Sequence, residues 1–170
     1  MIYYVLLPFF SLFVLILQIG VLDIVFLGKA TPEISLIVVI YAGFYLSVLR
    51  GGVLPVILGY CMDCLTGVVP GLFVITYLVI FMVSRFVSFR AYVGGMIFAT
   101  AFTVMSVFLE KLLIVLIYRI LFGIDVAYDM LDVALIQAVV TGVLAPVFFA
   151  LFRRIEGVLS AWESKSPGEL

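Results

Sequence analysis

Six apolar runs dominate this sequence, each bounded by charged residues, glycine or proline. A helix needs about 20 apolar residues to cross the hydrocarbon core of a bilayer, with a range of about 17–25. The runs lie near residues 3–22, 32–49, 53–69, 72–84, 91–122 and 130–152. The fourth is short, so its ends are expected to reach into the interface. The fifth is longer than the core is thick, and a helix of that length must tilt, protrude or begin among the headgroups. Thr31 and Pro32 read as the N-cap and first helical position of the second run, where a missing N–H costs nothing. Asp129 reads as the cap of the sixth, with Asp132 in its positive first turn. Pro70-Gly71 folds the third and fourth runs into a hairpin. The fold class expected is therefore all-α: a polytopic membrane protein whose six transmembrane helices fill residues 1–152, with a cytoplasmic amphipathic tail over 153–170.

Composition removes the competing classes. Of 170 residues, 67% are apolar and 11% are charged, against about 45–50% and about 25% in soluble domains. A globule of this size buries only part of its surface, so it has nowhere to hide that much oil from water. Disorder requires the opposite composition. Histidine is absent, which removes Ser-His-Asp and Cys-His catalysis and every His metal ligand. Gly51-Gly52 and Gly94-Gly95 lack the Lys-Ser/Thr that a phosphate loop requires. Cys61 and Cys64 fall within one membrane helix, where adjacent turns fit a disulfide poorly, and they read as packing. The net charge of −1, with no basic patch outside the segment ends, gives no sign of nucleic-acid binding. The expectation is a non-enzyme with no cofactor and no metal, whose first contact is membrane lipid.

Lys and Arg in short loops set the orientation. With the amino terminus in the cytoplasm, Arg50, Arg85, Arg90, Arg153, Arg154 and Lys165 all fall inside. Lys29 stays outside, Arg119 lies near an outer helix end, and Asp23, Glu33, Asp125, Asp129 and Asp132 gather outside, where the loop acids Asp23, Asp125 and Asp129 are either solvated or meet basic residues of a partner. Both termini are thus expected in the cytoplasm. The first run has no basic residue before it and no small-x-small cleavage site before Asp23, so a retained helix is expected rather than a signal peptide. In the tail, Ile155, Val158, Leu159 and Trp162 recur at helical spacing. They describe either a short helix on the cytoplasmic membrane surface or an extension of the sixth helix.

Polar groups inside the oil need a reason, since a charge at mid-membrane costs at least about 2.5–3.5 kcal/mol on insertion scales. Gln18, Asp63, Glu110, Lys111 and Gln137 are such groups, and all fall in the outer half of their runs. Asp63, Glu110 or Lys111, and Gln137 can line a polar cavity open to the outside, or neighbouring helices can form a structural ion pair such as Asp63 with Lys111. A proton relay is a further alternative. Glu110 and Lys111 are adjacent, so on a helix they point about 100° apart. Gly59, Asp63, Gly67 and Gly71 recur every fourth residue and, if helical, make a narrow groove holding one carboxylate. Gly43-Ser47-Gly51, Gly95-Ala99-Thr103 and Ala134-Ala138-Gly142 form similar small-residue stripes and mark helices two, five and six for close packing with helix three.

The stretch from Thr31-Pro32-Glu33 through Arg50-Gly51-Gly52 to Gly59-Tyr60-Cys61-Met62-Asp63-Cys64-Leu65-Thr66-Gly67-Val68-Val69-Pro70-Gly71 resembles the rod shape-determining MreD family. That family has a proline opening its second helix and a Gly-x-x-x-Asp-x-x-x-Gly-x-x-x-Gly stretch in its third. Pro32, Gly59, Asp63, Gly67 and Gly71 stand at those positions. The family often has Leu-Leu before the acid, where this chain has Cys61-Met62. The resemblance implies a non-catalytic, multi-pass protein of the bacterial inner membrane that belongs to the cell-elongation machinery. It implies binding to MreC, a protein with one membrane helix and a periplasmic coiled coil. Through MreC it implies a link, direct or indirect, between MreB and the peptidoglycan synthases RodA and its transpeptidase, and so regulation of cell shape and wall synthesis. The family is similar in fold to the substrate-binding subunits of energy-coupling-factor transporters, which gives the alternative function, a vitamin-transporter subunit. Those subunits carry an Ala-x-x-x-Ala motif on the first helix, and residues 3–22 here contain no alanine. A homodimer is left open by the sequence.

Overall fold

A computed structural model describes residues 32–67, 69–90, 95–123 and 127–164, with side chains described for all of these but 50, 96, 127–132 and 156–164. The first run, with Gln18, and the acids Asp23 and Asp125 lie outside the described residues. Among the described residues six helices follow in order: α1 (Ile34–Tyr45), α2 (Val48–Gly51), α3 (Val53–Thr66), α4 (Leu72–Arg90), α5 (Met96–Phe122) and α6 (Ala127–Ser164). No strand occurs among the described residues. Three segments, Leu72–Arg90, Ile97–Phe122 and Val133–Ile155, are long and apolar enough to cross a membrane. The architecture is that of a helical membrane protein.

Several boundaries differ from those expected, each for a local reason. Pro32 is not the first helical residue; that position belongs to Ile34, with Glu33 as N-cap in a non-helical conformation. The Ile34 N–H turns back to the Pro32 carbonyl at 3.1 Å, while the Glu33 N–H donates across the bundle to Thr141 Oγ1 at 3.2 Å. The second run is not one helix either. α1 stops at Tyr45, Leu46 is extended, and the chain restarts at Val48 as a single turn. The Gly43-Ser47-Gly51 stripe is therefore interrupted, and Ser47 is exposed.

α3 ends at Thr66 because Gly67 takes the left-handed conformation, φ 62°, and its N–H closes on the Asp63 carbonyl at 3.2 Å. Glycine enters that region without the Cβ penalty of other residues. Gly71 also has positive φ, 93°. The expected four-residue glycine groove is thus not a helical feature: Gly59 and Asp63 lie on α3, whereas Gly67 and Gly71 shape the turn into α4.

α4 runs past Ser84 to Arg90. Its serines stay compatible with the helix, since Ser84 Oγ donates to the Ile80 carbonyl at 2.7 Å and Ser88 Oγ to the Phe44 carbonyl at 3.0 Å. α6 is continuous for 38 residues, through Arg153-Arg154 to Ser164. At about 1.5 Å per residue it spans about 57 Å, well beyond a core of about 30 Å. The tail therefore extends the sixth helix rather than starting a separate surface helix. Arginine is a good helix former, and the pair offers no break.

α1 sits at the centre. It is apolar on every face, and every residue from Ile34 to Phe44 is buried, as expected for a helix with neighbours all round. At 12 and 14 residues, α1 and α3 reach only about 18 and 21 Å. α1 is shielded by its neighbours through Phe44, and the helix breaks where that shielding ends, between the exposed Tyr45 and Ser47.

The contacts fix helix directions. Ser35 meets Tyr77 and Phe44 meets Ser88, so α4 runs parallel to α1. Phe44 packs on Phe102 at 5.0 Å while Glu33 meets Lys111, so α5 is antiparallel. Glu33 meets Gln137, Tyr41 packs on Phe149 at 5.6 Å, and Arg153 reaches Tyr45, so α6 is parallel. Two close approaches clamp α4. A Cβ on Gly43 would stand 2.5 Å from Ser84 Cβ, and one on Gly59 would stand 2.6 Å from Val74 Cα. Arg85, Arg90, Arg153 and Arg154 consequently collect at the Tyr45 end of the bundle, and Glu33, Asp63, Glu110 and Lys111 toward the other.

A buried carboxylate–lysine cluster as the candidate functional site

The cluster grows from the start of α1. The Glu33 carboxylate is carried into the bundle by the turn at Pro32 and by the Thr141 contact with its own N–H. Its Oε1 accepts from Lys111 Nζ at 2.5 Å and from Gln137 Nε2 at 2.6 Å. Lys111 comes from α5. Gln137 and Thr141 lie one turn apart on α6 and so share a face. One carboxylate therefore ties α1 to both long helices. Glu33 and Gln137 are only 5% and 6% exposed, and Glu110 is fully buried.

Glu110, adjacent to Lys111, presents its carboxyl to that of Glu33. Neither Glu110 oxygen, nor Glu33 Oε2, has a hydrogen-bond partner among the described residues. Beside them Ser35 Oγ and Tyr77 Oη share a hydrogen bond of 2.8 Å between α1 and α4. The Lys111–Glu33 hydrogen bond is charge-assisted, and such bonds are stronger than neutral ones, so the cluster locks helix register.

Asp63 does something else. Its Oδ2 accepts from the Gly71 N–H at 2.8 Å and its Oδ1 from the Phe73 N–H at 2.9 Å. These donors lie at the start of α4, where backbone N–H groups have no helical partner. The carboxylate closes the α3–α4 turn and sits in the favourable field of the helix N-terminus. The suggested Asp63–Lys111 pair is not formed, because Asp63 is occupied by the turn and Lys111 by Glu33.

Of the polar residues singled out in the sequence, the structure brings together Glu110, Lys111 and Gln137, and separates Asp63 from them. Glu33 is the residue that sequence reasoning grouped with the outer acids and left out of the intramembrane polar set. The available signal was its position: an acid directly before an uninterrupted apolar helix, on the same side of the bundle as Lys111. Cys61 is half-buried and Cys64 exposed, both as free thiols. Among the described residues no group of three or more potential metal ligands occurs. The small residues Ala99, Thr103, Ala134, Ala138 and Gly142 are buried, and a Cβ on Gly142 would stand 2.6 Å from Val104 Cγ2, so the α6 stripe packs on α5 at Val104 and Thr100, which lie outside the Gly95-Ala99-Thr103 stripe. None of the protein-family models, curated proteins or solved structures compared with the chain matches it.

Proposed function

We propose that this chain is a non-catalytic scaffold of the bacterial inner membrane, similar to the MreD family, that docks a single-span MreC-like protein and so regulates wall synthesis during elongation. In this reading the chain crosses the bilayer six times with both termini in the cytoplasm. α1 and α3 count as crossings although short, because the bundle rather than lipid surrounds α1. The arginine end faces the cytoplasm, as the positive-inside rule requires.

The observation that carries the reading is the state of Asp63. The acid of the Gly59-x-x-x-Asp63-x-x-x-Gly67-x-x-x-Gly71 stretch is spent on two backbone N–H groups. A carboxylate used this way holds shape and is not left open to bind a substrate. The stretch therefore supports a body of fixed form that a partner recognises, and favours scaffolding over transport.

Co-purification tests it. The tagged chain should recover a coiled-coil wall protein with one membrane helix. Recovery of an ATPase module instead would establish the transporter-subunit alternative. Asp63→Leu should weaken recovery of the wall protein at normal expression. Normal rod shape and undiminished recovery with that variant would remove Asp63 from the functional residues.

A further inference from the structure

The charges in the buried cluster do not balance. Glu33 and Glu110 are two carboxyl groups served by one ammonium, Lys111, and Glu110 has no exposed surface at all. A buried carboxylate without a counter-charge is strongly unfavourable. The surrounding elements supply no second cation among the described residues. α6 contributes the uncharged Gln137 and Thr141. α4 contributes Tyr77, engaged with Ser35. Asp63 of α3 is engaged with backbone N–H groups.

The unsatisfied atoms indicate what is missing. Both Glu110 oxygens and Glu33 Oε2 lack hydrogen-bond partners among the described residues, and the two carboxyl groups face each other. A single O–H on Glu110, donating to Glu33 Oε2, would satisfy two of these three atoms. It would leave Glu33 as the only anion, matched by Lys111. A metal cation fits less well, since it would stand beside the Lys111 ammonium and needs several oxygen ligands.

We propose that Glu110 and Glu33 form a binding site for one proton, held inside the bundle as a carboxylic acid–carboxylate hydrogen bond. The site is independent of which partner the protein docks. Because Glu33 also anchors α1 to α5 and α6, loss of the proton would place an unbalanced charge where those three helices meet.

Infrared spectroscopy of the purified full chain in lipid, with glutamate side chains carrying carbon-13, tests this directly. The protonated carboxyl C=O band should be present at neutral pH and should shift with the label. It should vanish in Glu110→Gln, whose amide N–H can donate to Glu33 Oε2 in place of the acid and so keep the fold. Absence of a labelled band in the unmutated chain overturns the proposal whether or not the variant folds. So does persistence of the band in folded Glu110→Gln. Loss of the band when sodium replaces choline at fixed pH also overturns it, and would make the pair a sodium site.

Discussion

Lys111 of α5 and Glu33 at the head of α1 meet at 2.5 Å inside the bundle, joining segments 78 residues apart in sequence. Removing one partner of a buried pair leaves the other charge stranded, which costs about 3–5 kcal/mol. Lys111→Met should therefore lower the thermal midpoint of the protein in detergent sharply. Adding Glu33→Gln should restore much of the loss, because replacing both members of a buried pair is far milder than replacing one. Equal destabilisation by the single and double variants would show that the pair is not the source of the effect.

The Asp63 carboxylate serves two N–H groups of the α3–α4 turn. Each buried donor left unpaired costs about 1–3 kcal/mol. Asp63→Asn keeps one acceptor oxygen, whereas Asp63→Leu keeps none, so stability should fall in that order. Hydrogen exchange at the Gly71 and Phe73 amides offers a local readout. Both should speed up in Asp63→Leu, and a change spread evenly over α4 would instead point to general loosening.

Much of this was legible in the chain itself. Apolar run lengths locate α5 and α6, because lipid imposes one length scale on anything that spans it, whereas the run at 72–84 gives the start of α4 but stops short of its end at Arg90. Small residues at fourfold spacing locate the contact of α5 with α6, where Ala138 and Gly142 are buried. What sequence missed follows from its blindness to tertiary partners. Pro32 looks like a first helical residue until Glu33 is seen held across the bundle by Lys111, Gln137 and Thr141. Gly67 and Gly71 fit a helical period of four, yet both have positive φ, and periodicity carries no sign of φ. Residues 32–49 look like one helix because the break at Leu46 uses no proline or glycine. Asp63 and Lys111 are plausible partners by depth alone, and only the turn geometry assigns each elsewhere.

Gly59 and Gly67 separate packing from backbone strain. A Cβ at Gly59 would stand 2.6 Å from Val74 Cα and 2.7 Å from its N, and backbone atoms cannot rotate away. Gly59→Ala should force α3 and α4 apart at a cost of about 1–3 kcal/mol. Around Gly67 nothing lies within 4 Å, so Gly67→Ala should pay only the left-handed penalty, about 1–2 kcal/mol, and leave the interhelix spacing intact. Cysteine crosslinking between α3 and α4 distinguishes the two: its rate should fall in Gly59→Ala and hold in Gly67→Ala.

Arg153 and Tyr45 form the counterpart of the buried cluster at the opposite end. Arg153 Nη2 donates to Tyr45 Oη at 2.9 Å, with the guanidinium 5.7 Å from the ring centroid. Both residues are exposed, so the exchange is largely one hydrogen bond for another to water. A double-mutant cycle of Arg153→Gln with Tyr45→Phe should give a coupling below about 1 kcal/mol, as exposed polar pairs do. The same cycle on Lys111→Met and Glu33→Gln should give several times more, because there no water replaces the lost partner. If the two couplings came out alike, the Glu33 end of the bundle would have to be wet, and the helix-locking role assigned to its cluster would fail.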